Sequence, residues 1–161
     1  MNWYALHVRS QYEKRVKLQL EYLRIEPFYP TYLQKSRWTD RTKTIERPLF
    51  PGYLFAHFEP EDCGRVQAIK GVAHVLGDGI DPIAVPDEQI EAVRTLLASP
   101  FELTPMSLIQ VGKRVVIEHG ALRGIEGWVV EIKKRCQVVV AIDLLRKGVG
   151  LQVDAQWLRA V

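Results

Sequence analysis

Cysteine is scarce in this chain. Cys63 and Cys136 are the two among 161 residues, too few for a disulfide-dense scaffold or an all-thiolate metal site. No apolar run approaches the about eighteen residues of a membrane helix, so a span is excluded and no membrane partner is expected. Met1-Asn2-Trp3-Tyr4 has no basic stretch leading into an apolar one, so no secretory signal is expected and a cytoplasmic location is the expectation. Strong net charge is lacking as well: 22 Lys and Arg against 19 Asp and Glu leave +3. The length suits one ordinary domain or two small ones and is too short for a large multidomain enzyme.

What is present is uneven. Residues 1–50 hold 10 basic and 5 acidic residues, residues 51–105 hold 3 and 9, and residues 106–161 hold 9 and 5. A basic first third is suited to phosphate, whereas the acidic middle faces solvent or another partner. Trp3 to Val8 alternates as a strand. Tyr12, Val16, Leu20 and Leu23 then follow a helical period, with Ser10 and Glu13 as its capping pair and Pro27 and Pro30 as its stop. Two extended arms flank a charged hairpin tip at Arg37–Lys43, and Tyr53 to Phe58 alternates as a second core strand. A short helix is expected over Glu61–Ile69, a third strand over Val72–Leu76, and a helix opened by Asp87 with Ile90, Val93 and Leu97 inside. Ser99 to Pro105 reads as a linker. Beyond it, valine and isoleucine among six glycines predict four short strands, at 115–117, 127–132, 137–142 and 150–153, closing a small barrel.

Catalytic constellations are thin. His7, His57, His74 and His119 lack zinc spacing, and neither cysteine belongs to a Cys-x-x-Cys pair. No Gly-Lys-Ser/Thr follows the glycines, and Asp78 with Asp81 reads as a solvated loop. No metal, cofactor or enzymatic activity is expected. The basic residues Arg9, Lys14, Arg15, Lys17 and Arg24, with Arg37, Arg41, Lys43 and Arg47 on the hairpin, can meet phosphates. Trp38 at a polar tip either stacks on a base or caps the hairpin. Leu49-Phe50-Pro51-Gly52-Tyr53 puts large apolar side chains at a turn, a shallow patch suited to a protein helix.

Trp3-Tyr4, the segment Arg47-Pro48-Leu49-Phe50-Pro51-Gly52-Tyr53-Leu54-Phe55 and Lys70-Gly71-Val72 resemble the amino-terminal domain of the NusG family of transcription elongation factors. The run from Val111-Gly112-Lys113 to Gly127-Trp128-Val129 resembles that family's KOW domain. Pro48-Leu49-Phe50-Pro51-Gly52-Tyr53-Leu54-Phe55 together with Gly71-Val72-Ala73-His74 and Pro82-Ile83-Ala84-Val85-Pro86 looks most like the RfaH-like antiterminator paralogues. The resemblance implies an α+β chain: a NusG-type α/β sandwich domain, an antiparallel sheet with flanking helices, over 1–98, a linker over 99–108, and a small KOW/SH3-like β-barrel over 109–161.

By the same resemblance the first domain binds the clamp helices of the largest RNA polymerase subunit, bridges to the second-largest, and suppresses pausing or termination. The polymerase-facing candidates are His7, Leu49, Phe50 and Tyr53. Arg9, Arg15 and Lys70 match basic positions near upstream DNA and the non-template strand, and Arg65 joins them. The stretch Glu61–Val66 is shorter than the His/Thr-rich segment of RfaH, so a different DNA preference is expected. The barrel would recruit ribosomal protein S10 or Rho through Ile142, Leu144, Leu145 and Arg146, where general members carry Phe-Gly-Arg. A monomer is expected, with no stable helical form of residues 106–161. The competing reading is a ribosome- or RNA-associated KOW protein, which has no need of the aromatic turn at 49–53.

Overall fold

A computed structural model describes residues 1–107, 114–132 and 135–161. The chain divides into two compact units, Met1–Asp87 and Glu88–Val161.

The first unit is built on β1 (Asn2–Val8), whose apolar residues point to both faces, as a central strand requires. After it come α1 (Glu13–Tyr22), β2 (Glu26–Phe28), β3 (Thr31–Arg37), β4 (Thr42–Pro48), β5 (Tyr53–Phe58), α2 (Cys63–Gln67), β6 (Val72–Val75) and β7 (Ala84–Val85). The sheet order is β2-β5-β1-β6, with β7 also pairing β1, and every pairing is antiparallel. Tyr4, Leu6 and Val8 of β1 and Leu54, Ala56 and Phe58 of β5 pack against Val16 and Leu20 of α1 and Val66 of α2 in one core. The opposite face carries Trp3, stacked on His57 at 4.9 Å, and Phe55, edge-on to Phe50.

Strand β3 pairs with β4 in a two-stranded ribbon from Thr31↔Pro48 to Arg37↔Thr42, its base closed by the Leu49 N–H donating to Pro30 O at 2.9 Å. The tip is thus Trp38–Arg41, inside the segment expected from sequence.

Both expected ends of α1 differ. Its N-cap is Tyr12, with no side-chain cap bond, because Arg9–Tyr12 forms a β-turn with Gln11 at φ 68 that takes Ser10 away from the helix. The helix stops well before Pro27. Arg24 adopts a left-handed φ of 60, the Ile25 N–H reaches Leu20 O at 2.9 Å and the Arg24 N–H reaches Glu21 O at 3.0 Å. This is a Schellman closure, sealed by the burial of Leu20 and Ile25 together. Pro27 instead lies in β2, on the sheet's edge, where its missing N–H costs no ladder bond.

In the second unit α3 (Asp87–Ala98) buries Ile90, Val93 and Leu96, with Leu97 half-buried where full burial is expected from sequence. Then follow β8 (Thr104–Ser107), β9 (Arg114–Ile117), β10 (Glu126–Ile132), β11 (Arg135–Ile142), β12 (Lys147–Val153) and β13 (Leu158–Ala160). They form an antiparallel sheet in the order β13-β9-β10-β11-β12-β8. Among the described residues the two edge strands do not pair, so no closed barrel is seen. The sequence reading gives four of these strands and misses β8 and β13. Strand β8 lies within the expected linker and carries Pro105, which an edge strand tolerates. Val111, Gly112 and Lys113 of the KOW-like run lie outside the described residues.

Candidate functional site

Two surfaces of the first unit gather the candidate residues, on opposite sides of its sheet. The first is a row across three strands. Tyr53 of β5 stands opposite His7 of β1, and His7 opposite His74 of β6. Directly paired residues share a face, and the rings follow: His7 lies 5.2 Å from Tyr53 and 5.1 Å from His74. The β1–β6 register slips after His7, which pairs with His74 while Val8 pairs with Val72. His7 and Tyr53 are half-buried and His74 is exposed.

The turn behind this row is built as its sequence dictates. In Phe50-Pro51-Gly52-Tyr53, proline presets the first corner and Gly52 takes the second at φ 82, where the left-handed region suits glycine. The Tyr53 N–H donates to Phe50 O at 3.0 Å and the Val8 N–H to Gly52 O at 2.8 Å, tying the turn to β1. Leu49 and Phe50, which the resemblance puts in the polymerase-facing patch, are each only 1% exposed. The Pro51–Gly52 reversal sends Phe50 inward onto Phe55 and leaves Tyr53 at the rim. Leu49 and Phe50 therefore position the turn from within. Sequence reasoning omitted His74 from this site, although its place in β6 opposite His7 follows once the register is known.

The second surface is a groove of about 630 Å³ in the helix layer, lined by Tyr12, Arg15, Leu18, Gln19 and Leu23 and by Arg65, Ala68, Ile69 and Lys70. Three expected nucleic-acid residues, Arg15, Arg65 and Lys70, meet here around an apolar floor, and no carboxylate lines it. The Arg15 guanidinium lies 5.8 Å from the Tyr12 ring centroid, and Arg65 donates to Asp62 Oδ1 at 2.8 Å. Arg9, exposed, adjoins the groove: its N–H donates to Gly71 O at 2.8 Å. Gly71 has φ 105, and a Cβ there would fall 2.6 Å from Tyr12 Cβ, so only glycine lets the Lys70 segment pack beneath α1.

In the second unit, the expected partner-binding stretch runs from the end of β11 through a short 3₁₀ turn, Asp143–Leu145. The side chains of Ile142 and Leu144 lie outside the described residues. Leu145 is buried and Arg146 is exposed at φ 50. The turn is held by α3: the Gln89 amide donates to Asp143 Oδ2 at 2.8 Å, and the Asp143 N–H returns a bond to Gln89 Oε1 at 3.2 Å.

The remaining titratable groups fit structural roles. Asp78 accepts N–H bonds from Asp81 and Ile80, which hold its carboxyl below the usual range and make it the pivot of a loop. Burial pushes the Cys63 thiol up, away from the reactive thiolate. Among the described residues no three His, Cys, Asp or Glu side chains gather to hold a metal, and no helix is long and apolar enough to cross a membrane.

The first unit thus carries an aromatic row on one side of its sheet and a basic groove on the other. Comparison with known proteins gives the chain a family. The model of the transcription termination factor NusG family matches residues 1–94, and the chain belongs to that family. Its members are transcription factors and not enzymes. The chain is 22% identical to the transcription termination/antitermination protein NusG of Borreliella burgdorferi, over 99% of this chain and 98% of that one. It is 26% identical to its counterpart in Thermus thermophilus, over 96% and 95%. Among solved structures, one describing domain interaction in Thermotoga maritima NusG shares the fold, with a TM-score of 0.55 at 21% identity, covering 99% of this chain and 97% of that one.

Proposed function

We propose that the chain is an elongation and antitermination factor that grips RNA polymerase with its first unit and recruits a second partner with its last. The observation that carries this reading is the Tyr53–His7–His74 row, three rings side by side across β5, β1 and β6 on one sheet face, with His74 exposed. Such a strip receives an apolar helix, and the largest-subunit clamp helices are the partner that the family membership favours. The polymerase-binding domain lies within residues 1–98, and the β-rich last third, which begins at β8, acts as the KOW-type module. The factor works as a cytoplasmic monomer of the RfaH-like branch and reaches the second-largest subunit from the same domain. Arg9, Arg15, Arg65 and Lys70 lie toward upstream or non-template DNA, where an apolar floor ringed by cations suits a base with its phosphates. Arg146, exposed at the end of its turn, meets S10 or Rho.

The test is binding of purified polymerase core by the full chain. Tyr53→Ala should lose about tenfold or more in affinity, the loss typical of a central aromatic anchor, with its thermal midpoint nearly unchanged. Full-strength polymerase binding by Tyr53→Ala would sink the reading, and RNA binding without polymerase binding would favour a ribosome-associated protein instead.

A further inference from the structure

The β3–β4 ribbon serves neither surface described above. Among the described residues it pairs with no other strand, and it ends in Trp38, which is 57% exposed. Its register sorts its side chains. Tyr32 opposes Arg47, Gln34 opposes Ile45 and Ser36 opposes Lys43, so these share one face. Trp38 continues that face by alternation, and the Lys43 ammonium lies 5.9 Å from its ring centroid. The carboxylate of the paired strands, Glu46, opposes Leu33 on the reverse face, and Asp40 sits in the tip beside Arg41. One face of the ribbon is therefore cationic and aromatic, without a carboxylate along its strands.

We propose that this face is a second nucleic-acid contact, with Arg47 and Lys43 on the phosphates and Trp38 stacked on an unpaired base. Charge complementarity selects the occupant: an apolar partner would have to desolvate Lys43 and Arg47, whereas a phosphate chain pairs with both. Four residues of strand put these cations about 13 Å apart along the ribbon, so they meet separate phosphates. Trp38 selects the form of the nucleic acid. A duplex hides its base faces in the stack, so a tip aromatic finds one only where a strand is unpaired, and stacking there tolerates any sequence. The Lys43–Trp38 approach keeps the ring beside positive charge, next to where the adjoining phosphate would lie.

The experiment is fluorescence anisotropy of the full chain with a labelled single strand, as DNA and as RNA, and with a blunt DNA duplex. No polymerase is present, so the result is independent of the polymerase reading. Trp38→Ala should weaken binding to the single strand about tenfold or more, Trp38→Phe should keep most of the affinity, and the duplex should be indifferent to both. The pair Lys43→Gln with Arg47→Gln should reduce the salt dependence on single strand by about 1.4 in log–log slope. Loss on either the DNA or the RNA strand supports the proposal. Single-strand binding by Trp38→Ala equal to that of the parent chain, or an equal loss on blunt duplex, overturns it. So does a single-strand affinity abolished by Arg15→Gln with Lys70→Gln yet unmoved by the ribbon variants, which would leave the groove as the sole site.

Discussion

Arg24 holds a conformation that most side chains avoid. At φ 60 it closes α1, so that Ile25 can fold back onto Leu20. Glycine at this position would lose the Cβ penalty and gain flexibility in the unfolded chain, and the first effect is the larger at a left-handed cap. Arg24→Gly should therefore raise stability by about 0.5–1 kcal/mol in urea unfolding. Gly71 is the opposite case. Its replacement by alanine combines a left-handed φ with a Cβ inside Tyr12, and should cost about 2–3 kcal/mol while loosening the groove. Neither position announces itself in sequence. An arginine carries no mark of a helix end, whereas the prolines that do carry one lie in the following strand and loop. The register that makes His74 a neighbour of His7 was equally hidden, because pairing between distant strands is decided by the whole sheet.

The central strands were the most legible elements. Strands β1 and β5 alternate, and the structure buries Tyr4, Leu6 and Val8 under helices while Tyr53 and His7 reach the far rim. The hairpin was legible from its charged tip. The aromatic turn was legible as a turn, through Pro51 and Gly52, but which of its rings points inward was set by packing on Phe55. The edge strands of the second unit were not legible: β8 and β13 are short, and a proline or a helical turn beside them erases alternation. The burial of Phe50 has a measurable counterpart. Phe50→Ala should destabilise the first unit by about 3–5 kcal/mol, as loss of a core phenylalanine does. A polymerase-binding defect in that variant should therefore come with a lowered thermal midpoint, unlike that of Tyr53→Ala.

At the scale of the molecule, the first unit separates its two surfaces by a sheet and a layer of helices. Changes on either side should therefore be nearly additive, since the sheet and its helices stand between them. Combining Tyr53→Ala with Arg15→Gln should give the sum of their separate losses in polymerase-complex stability, and a marked departure would mean that the row and the groove meet one ligand. The succession of an α/β unit and a β-rich unit was legible in composition, from the valine and glycine of the last third, whereas the division between Asp87 and Glu88 has no mark in the sequence. The charge pattern was legible only in part: the basic first third is distributed between the groove and the ribbon, two places that a linear count merges.

The anchoring of the ribbon gives the first unit a ruler. Leu49 and Phe50 are buried at its base, Leu49 is bonded back to Pro30, and seven residues of each strand carry Trp38 about 23 Å outward. Tyr53 follows four residues after the base of the same ribbon, so the two partner sites are linked by a stretch of fixed length. Deleting one residue pair would shorten that reach by about 3 Å and, because strand faces alternate, turn the tip indole to the other side. Deleting two pairs would restore the facing and keep the shortening. Reach and facing can thus be varied apart within a single hairpin, and on the two proposals made above the length of the arm sets how far from the helix held by Tyr53 an unpaired base would lie.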